Sequence, residues 1–360
     1  MKWIFDKKAF QRLEIFLDII SPSMEESLMT NNLRTQWRET GVDVQTDVLG
    51  NIYASLNTNQ KDRLSLGIVA HTDTVAVQIT NILHNGMLQF RPIGLQPHTL
   101  LGQSMKVLTS NGLVDGVIGF DPTSQYGQPK GLILDDLWMD IGASSFEQAC
   151  KIVEVGNLAV LSPRISNMGD SYLSGTAIDN RVGLFVLNEC LRWFTIHVPR
   201  INLYFIGTVQ EEVGLRGANT AIASLPLDAC VILDVDYATD TPASHESQTG
   251  PLRLGKGVGL HAKADNNPVL RRIAKEVADK QQIPYQMSLG RFVYGGTDAS
   301  PLQIQNGGVA TLNVNIPCRY MHSPIEMCHK SDVENAIRLT IELVEELGAR
   351  QQKTFLPGID

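Results

Sequence analysis

Seven side chains carry the chemistry this sequence offers. His71 and Asp73 follow the apolar run Leu64–Ala70, Glu211 and Glu212 follow Ile201–Val209, and Asp234 closes Ala229–Leu233. His322 lies six residues beyond a fourth run, Val309–Ile316, and Asp179 opens a helical stretch that reaches Trp193. Imidazole and carboxylate together suit zinc, cobalt or manganese, whereas calcium and magnesium want oxygen alone. A carboxylate has two oxygens and can bridge a pair of ions about 3.5–4 Å apart, a pair able to activate water and polarise a carbonyl. Asp73, two residues past His71, can accept the imidazole N–H and fix its tautomer. Of the adjacent Glu211 and Glu212, one can ligate while the other acts as general base. Spacing leaves open which does which.

Those residues need a frame that brings them together. Leu64–Ala70 suits a strand buried on both faces, and strands alternating with helices predict an α/β fold. The expected architecture is a mixed, mostly parallel sheet sandwiched by helices. In open sheets of this kind ligands bind beyond the carboxyl ends of the strands. Four strands running the same way would converge the strand-end groups on one cleft, with Asp179 facing it. The spacing of Phe10, Leu13, Phe16, Leu17 and Ile20 predicts an amphipathic opening helix. Further helices are expected over Glu25–Thr40, Asn267–Gln281 and Ser331–Leu347. Val42, Val44, Thr46 and Val48 alternate as an edge strand, and Leu49-Gly50-Asn51 turns into Ile52–Leu56.

Between Val75 and Ser166 the pattern changes to Gly- and Pro-rich, short β-like pieces: Val75–Ile79, Met87–Ile93, Ser104–Leu108, Val114–Ile118 and Gly131–Met139, with helix only at Phe146–Val153. The expected organisation is a discontinuous catalytic domain of residues 1–74 and 167–350, an inserted β-rich domain of 75–166, and a tail of 351–360.

Composition narrows the function classes. With 43% hydrophobic and 19% charged residues, the 360-residue chain is an ordinary globular one. A formal net charge of −8 disfavours nucleic acid as a partner. No stretch is apolar for long enough to span a bilayer, and Met1–Ser21 lacks the unbroken apolar core of a signal peptide. No membrane partner and a cytoplasmic location are therefore expected. The five cysteines are odd in number and widely spaced, without a C-x-x-C pair, and read as reduced thiols.

Each motif is weak alone. H-x-D and Glu-Glu are commonly ordinary surface features, and His322 alone could be a loop histidine. The shared strand-end placement gives the set its weight. The other histidines, His84, His98, His197, His245, His261 and His329, are read as ordinary. Rival motifs fail: there is no G-x-S-x-G and no H-E-x-x-H, and Gly250–Gly257 departs from a P-loop because Gly257 follows Lys256.

In this order, the residues resemble the tetrahedral (TET-type) and glutamyl aminopeptidase family of co-catalytic metallopeptidases. The resemblance rests on Ala70-His71-Thr72-Asp73, Ala177–Gly183, Gln210–Ala218, Asp234-Val235 with Asp240-Thr241-Pro242, Gly295–Ala299 and Arg319–Pro324. Gly116–Gly119 and Asp140–Ala143 add landmarks within the insertion. The resemblance implies a zinc aminopeptidase-like fold and two divalent ions per subunit, zinc foremost, with cobalt or manganese compatible. By the same resemblance Asp179 bridges the ions, His71 and Asp234 complete one site, and Glu212 and His322 the other. Glu211 is then the general base and Asp73 the orienting residue. Peptides with a free N-terminus are the implied substrates, and the insertion is implied to support a homo-oligomer, built from dimers up to a dodecameric shell. Thr74 and Ala76 depart from the family's usual Glu and Gly, and Phe120–Pro129 lacks the usual form.

Three alternatives accompany this expectation. A related di-metal amidase or deacylase would use the same ligands, but such enzymes place their extra domain later in the chain. A glycosidase built on Glu211 and Glu212 fits poorly, because neighbouring strand residues point to opposite sides. A non-catalytic scaffold would have no need of a complete ligand set.

Overall fold

The computed structural model describes residues 4–56, 62–121, 133–223, 225–242, 244, 246–351 and 354–356. Most of the expected tail, most of Phe120–Pro129, and His245 lie outside the described residues.

An eight-stranded mixed sheet runs through the larger body. Its order is Asp43–Thr46, Ile52–Leu56, Asn202–Thr208, Ser65–His71, Ala229–Tyr237, Ala310–Cys318, Val258–His261 and Tyr285–Ser288. The four middle strands, from Asn202–Thr208 to Ala310–Cys318, are mutually parallel. Every residue of Asn202–Thr208, Ser65–His71 and Ala310–Cys318 is buried. That explains their near-continuous apolar character, since a parallel sheet is covered on both faces. Ile178–Ile196 lies on one face, and its residues Ile178 to Leu191 are all buried. It joins Lys7–Asp18, Ser27–Glu39, Pro268–Gln281 and Lys330–Arg350 around a core that includes Leu13, Trp37, Phe185, Phe194, Phe205 and Leu312. The Asn267 side chain starts the Pro268–Gln281 helix by accepting the Val269 and Leu270 N–H groups.

Residues between Ala76 and Leu161 form a closed six-stranded barrel ordered Ala76–Ile82, Leu88–Ile93, Leu137–Asp140, Gly112–Phe120, Ser104–Thr109 and Leu158–Leu161. It has its own core, including Ile79, Leu88, Phe90, Met105, Ile118 and Met139. Closure removes the unpaired edges that short strands would otherwise expose.

Several sequence expectations need correction. Phe146–Val153 is helical only over Phe146–Ala149, a single turn. Leu158–Leu161 is a strand that the pattern did not announce. So are Val258–His261 and Tyr285–Ser288, each four residues long and too short for periodicity to register. The strand carrying Asp234 continues to Tyr237, so Asp234 lies within it and does not close it. A three-stranded antiparallel sheet of Ile165–Met168, Tyr172–Gly175 and Glu326–His329 was also not expected.

Candidate active site

The carboxyl ends of the parallel strands converge on one cleft. His71 is the last residue of its strand, and Asp73 follows in the loop. Glu211 and Glu212 lie in the turn after Asn202–Thr208, where Gln210 takes a positive φ of 55°. They are turn residues, so the strand-alternation argument about their directions does not apply to them. Asp179 sits at the start of its helix with extended backbone (φ −76°, ψ 109°), and the Asp179–Asn180 peptide is cis.

Two clusters share one residue. His71, Asp179 and Asp234 form the first; Asp179, Glu212 and His322 form the second; in each, the potential ligand atoms lie within 4.8 Å of one another. His71 Nε2 is 3.1 Å from Asp179 Oδ1 and 3.6 Å from Asp234 Oδ1. His322 Nε2 is 3.3 Å from Asp179 Oδ2 and 3.2 Å from Glu212 Oε2. Thus one Asp179 oxygen faces each cluster.

Asp73 works on two sides of the site. Its Oδ1 lies 3.4 Å from His71 Nδ1 and accepts the Glu211 N–H at 3.0 Å. Its Oδ2 accepts from Glu212 N at 3.1 Å and from the Ser23 hydroxyl at 2.6 Å. One buried carboxylate therefore fixes the backbone of both glutamates.

Charge in the cleft is unbalanced. Burial raises the Glu211 carboxyl well above the ordinary range, with His71 opposing and Glu212 and Asp234 adding to the rise. Burial and Asp179 likewise raise Glu212, and burial raises Asp234. Burial works against Asp179 as an anion, yet hydrogen bonds from His322 and His71 hold it below the usual carboxylate range. Although burial disfavours a charged His322, its bonds to Asp179 and Glu212 push it up to about 12. Three carboxylates and two imidazoles, all oxygen and nitrogen donors, fit a divalent cation in each cluster. Glu212 Oε1 is buried without a hydrogen-bond partner, which fits a carboxylate turned toward an ion.

Sequence reasoning missed the residues behind this arrangement. Glu326 accepts the Asp179 N–H at 2.8 Å on Oε2 and the His322 N–H at 2.9 Å on Oε1, so one side chain ties the two clusters together. Burial and Asp179 push it up to about 8. It comes from the unexpected three-stranded sheet, and its only sequence signal was an acidic residue four positions after His322. Arg181 is fully buried and donates to the Thr72 carbonyl at 2.7 Å, fixing the loop between His71 and Asp73. Glu26 accepts the Gln210 N–H at 3.0 Å, supporting the glutamate turn from below; burial and Asp73 push it up to about 7. Thr74 pairs with Pro22 in a short parallel bridge and Ala76 pairs with Ile93 in the barrel, so both departures fall where the two bodies join.

The profile of the M42 glutamyl aminopeptidase family matches residues 50–339. The chain belongs to that family. As an M42 peptidase it is 32% identical to the lysyl aminopeptidase of Pyrococcus furiosus, covering 85% of this chain and 87% of that one. An aminopeptidase from the archaeon Desulfurococcus kamchatkensis shares the fold with a TM-score of 0.89 at 31% identity, covering 98% and 99% of the two chains. The TET1 peptidase of Pyrococcus horikoshii, which can assemble into a tetrahedron or a large octahedral shell, gives 0.85 at 29% identity, covering 94% of this chain and 100% of that one. These relatives favour an aminopeptidase over the amidase, glycosidase and scaffold alternatives.

Proposed function

We propose that this M42 peptidase removes N-terminal residues from peptides in a cleft that holds two divalent ions. His71 and Asp234 would hold one ion, Glu212 and His322 the other, and Asp179 both. The observation that carries this is the placement of Asp179, with one oxygen toward each cluster. Bound there, the ions supply an activated water, a polarised scissile carbonyl and an anchor for the free amine. The nitrogen and oxygen donors favour zinc, and cobalt or manganese also fit.

The chain's own residues do the rest. Glu211 would take a proton from the attacking water and deliver it to the leaving amine, and burial already raises its carboxyl's affinity for a proton. Asp73 orients His71 and clamps the Glu211–Glu212 backbone. Arg181, Glu26 and Glu326 hold the loops that carry the ligands.

The barrel is the assembly element of this reading. A homo-oligomer built from dimers, up to a dodecamer, belongs to this reading, and the tetrahedral and octahedral shells of the Pyrococcus horikoshii relative support assembly into a closed particle. A cytoplasmic site of action belongs to the same reading. No described helix is long and apolar enough to cross a membrane.

The test is a panel of amino-acid p-nitroanilides and short peptides, each with a free or an acylated N-terminus. The protein is first stripped of metal and then given zinc, cobalt or manganese. Cleavage confined to free amines is expected. Preferential cleavage of the acylated set would transfer the site to amidase chemistry.

A further inference from the structure

Past Asp234 its strand runs on for three residues, to Tyr237. Alternate residues of a strand share a face, so Asp236 points to the same side as Asp234, about 7 Å further along. Two adjoining cavities meet there, sharing Asp236, Tyr237, Arg291 and Phe292 in their walls. The smaller, 50 Å³, is also lined by Val235, Thr297 and Met321, the chain neighbours of Asp234, Asp298 and His322. The larger, 850 Å³, opens outward from it.

The charges around this space are unequally committed. Asp236 Oδ1 accepts its neighbour's N–H, from Tyr237, at 2.7 Å. Its Oδ2 lies 3.3 Å from His261 Nδ1, but that nitrogen is also met by the Asn315 amide at 3.0 Å. Burial holds the His261 imidazole toward its neutral form, with Asp236 opposing. Lys263 is 7% exposed; its ammonium donates to the Gly295 carbonyl at 3.0 Å and lies 3.7 Å from the Asp265 carboxylate. Arg291 is exposed at the rim, over the Tyr237 and Phe292 rings at 5.3 and 5.7 Å. The Asp236 side chain, 18% exposed, lines both cavities with its Oδ2 beside His261; burial raises its carboxyl, with His261 and Lys263 opposing the rise.

We propose that this cavity receives the side chain of the substrate's N-terminal residue and that Asp236 selects a cationic one, lysine or arginine. The inference rests on the aminopeptidase reading, which sets the substrate's amine at the ion clusters. The smaller cavity, lined by Val235 and Asp236, offers the stem of such a side chain Phe292 and Met321 as apolar walls. An ammonium or guanidinium then forms a charge-assisted bond with Oδ2.

The experiment compares kcat/KM for Lys-, Arg-, Leu- and Glu-p-nitroanilide in the wild type and in Asp236→Asn, both loaded with zinc. Asparagine keeps the size and the acceptor for Tyr237 N–H while removing the charge. The wild type is expected to prefer Lys and Arg, and the Lys-to-Leu ratio of kcat/KM to fall roughly 10- to 100-fold in the variant, carried mainly by KM. Wild-type cleavage of Leu or Glu derivatives as fast as Lys, or an unchanged ratio in Asp236→Asn, would overturn the pocket assignment alone. Release from none of the four would overturn the aminopeptidase reading and the assignment with it.

Discussion

Among individual residues, Glu211 is the one whose environment departs most usefully from the ordinary. Glu211 is half-buried with its carboxyl near Glu212 and Asp234, and its backbone N–H is held by Asp73. A group that must gain and lose a proton each turnover works best when its affinity lies near the working pH. Glu211→Gln keeps the shape and removes the proposed base. Turnover should fall by about 10²- to 10⁴-fold, while metal content measured by mass spectrometry stays at the wild-type level. Activity within a few fold of the wild type would remove Glu211 from the mechanism. Glu212 stands beside it with a different duty because its Oε2 meets His322. Two adjacent letters of one type could not be told apart by spacing. The turn after the strand gives them separate directions.

Among the elements, the close approach of the Ile178–Ile196 helix to the Ala229–Tyr237 strand sets the position of Asp179. Asn180 donates to the Leu233 carbonyl at 2.9 Å and accepts the Gly183 N–H at 3.0 Å, locking the helix start to the strand that carries Asp234. A Cβ on Gly183 would fall 2.1 Å from Asn180 Oδ1 and 2.7 Å from the Leu233 carbonyl oxygen. Gly183→Ala should therefore cost about 1–3 kcal/mol of stability and weaken metal binding, as checked by thermal unfolding with and without added zinc. A variant with unchanged melting and metal affinity would show that this contact does not set the site. The parallel strands were legible in the sequence because burial on both faces writes long apolar runs such as Leu64–Ala70. His71, Glu211 and Glu212 were legible because they interrupt such runs. Glu326 and the Tyr172–Gly175 strand were not, because a four-residue strand in a side sheet leaves no period to read. Phe146–Val153 misled because its apolar residues serve the barrel core and need only one helical turn.

On the scale of the molecule, two bodies with separate cores share the work: one supplies the cleft, the other a closed barrel. Closure of the barrel leaves its outer face free to meet another copy. Light scattering should accordingly report a particle several times the 39.6 kDa chain. A particle of single-chain mass at micromolar concentration would contradict the assembly role given to the barrel.

Everything in the proposed chemistry depends on two ions shared through Asp179, so metal stoichiometry is the most direct test. The zinc-loaded protein should hold two ions per chain by mass spectrometry. His322→Ala should lower that to about one and His71→Ala should do the same, because each removes a ligand unique to one cluster. Chelation should abolish peptide cleavage and zinc should restore it. A fully active protein that carries no stoichiometric metal, or whose metal content ignores both substitutions, would contradict the account.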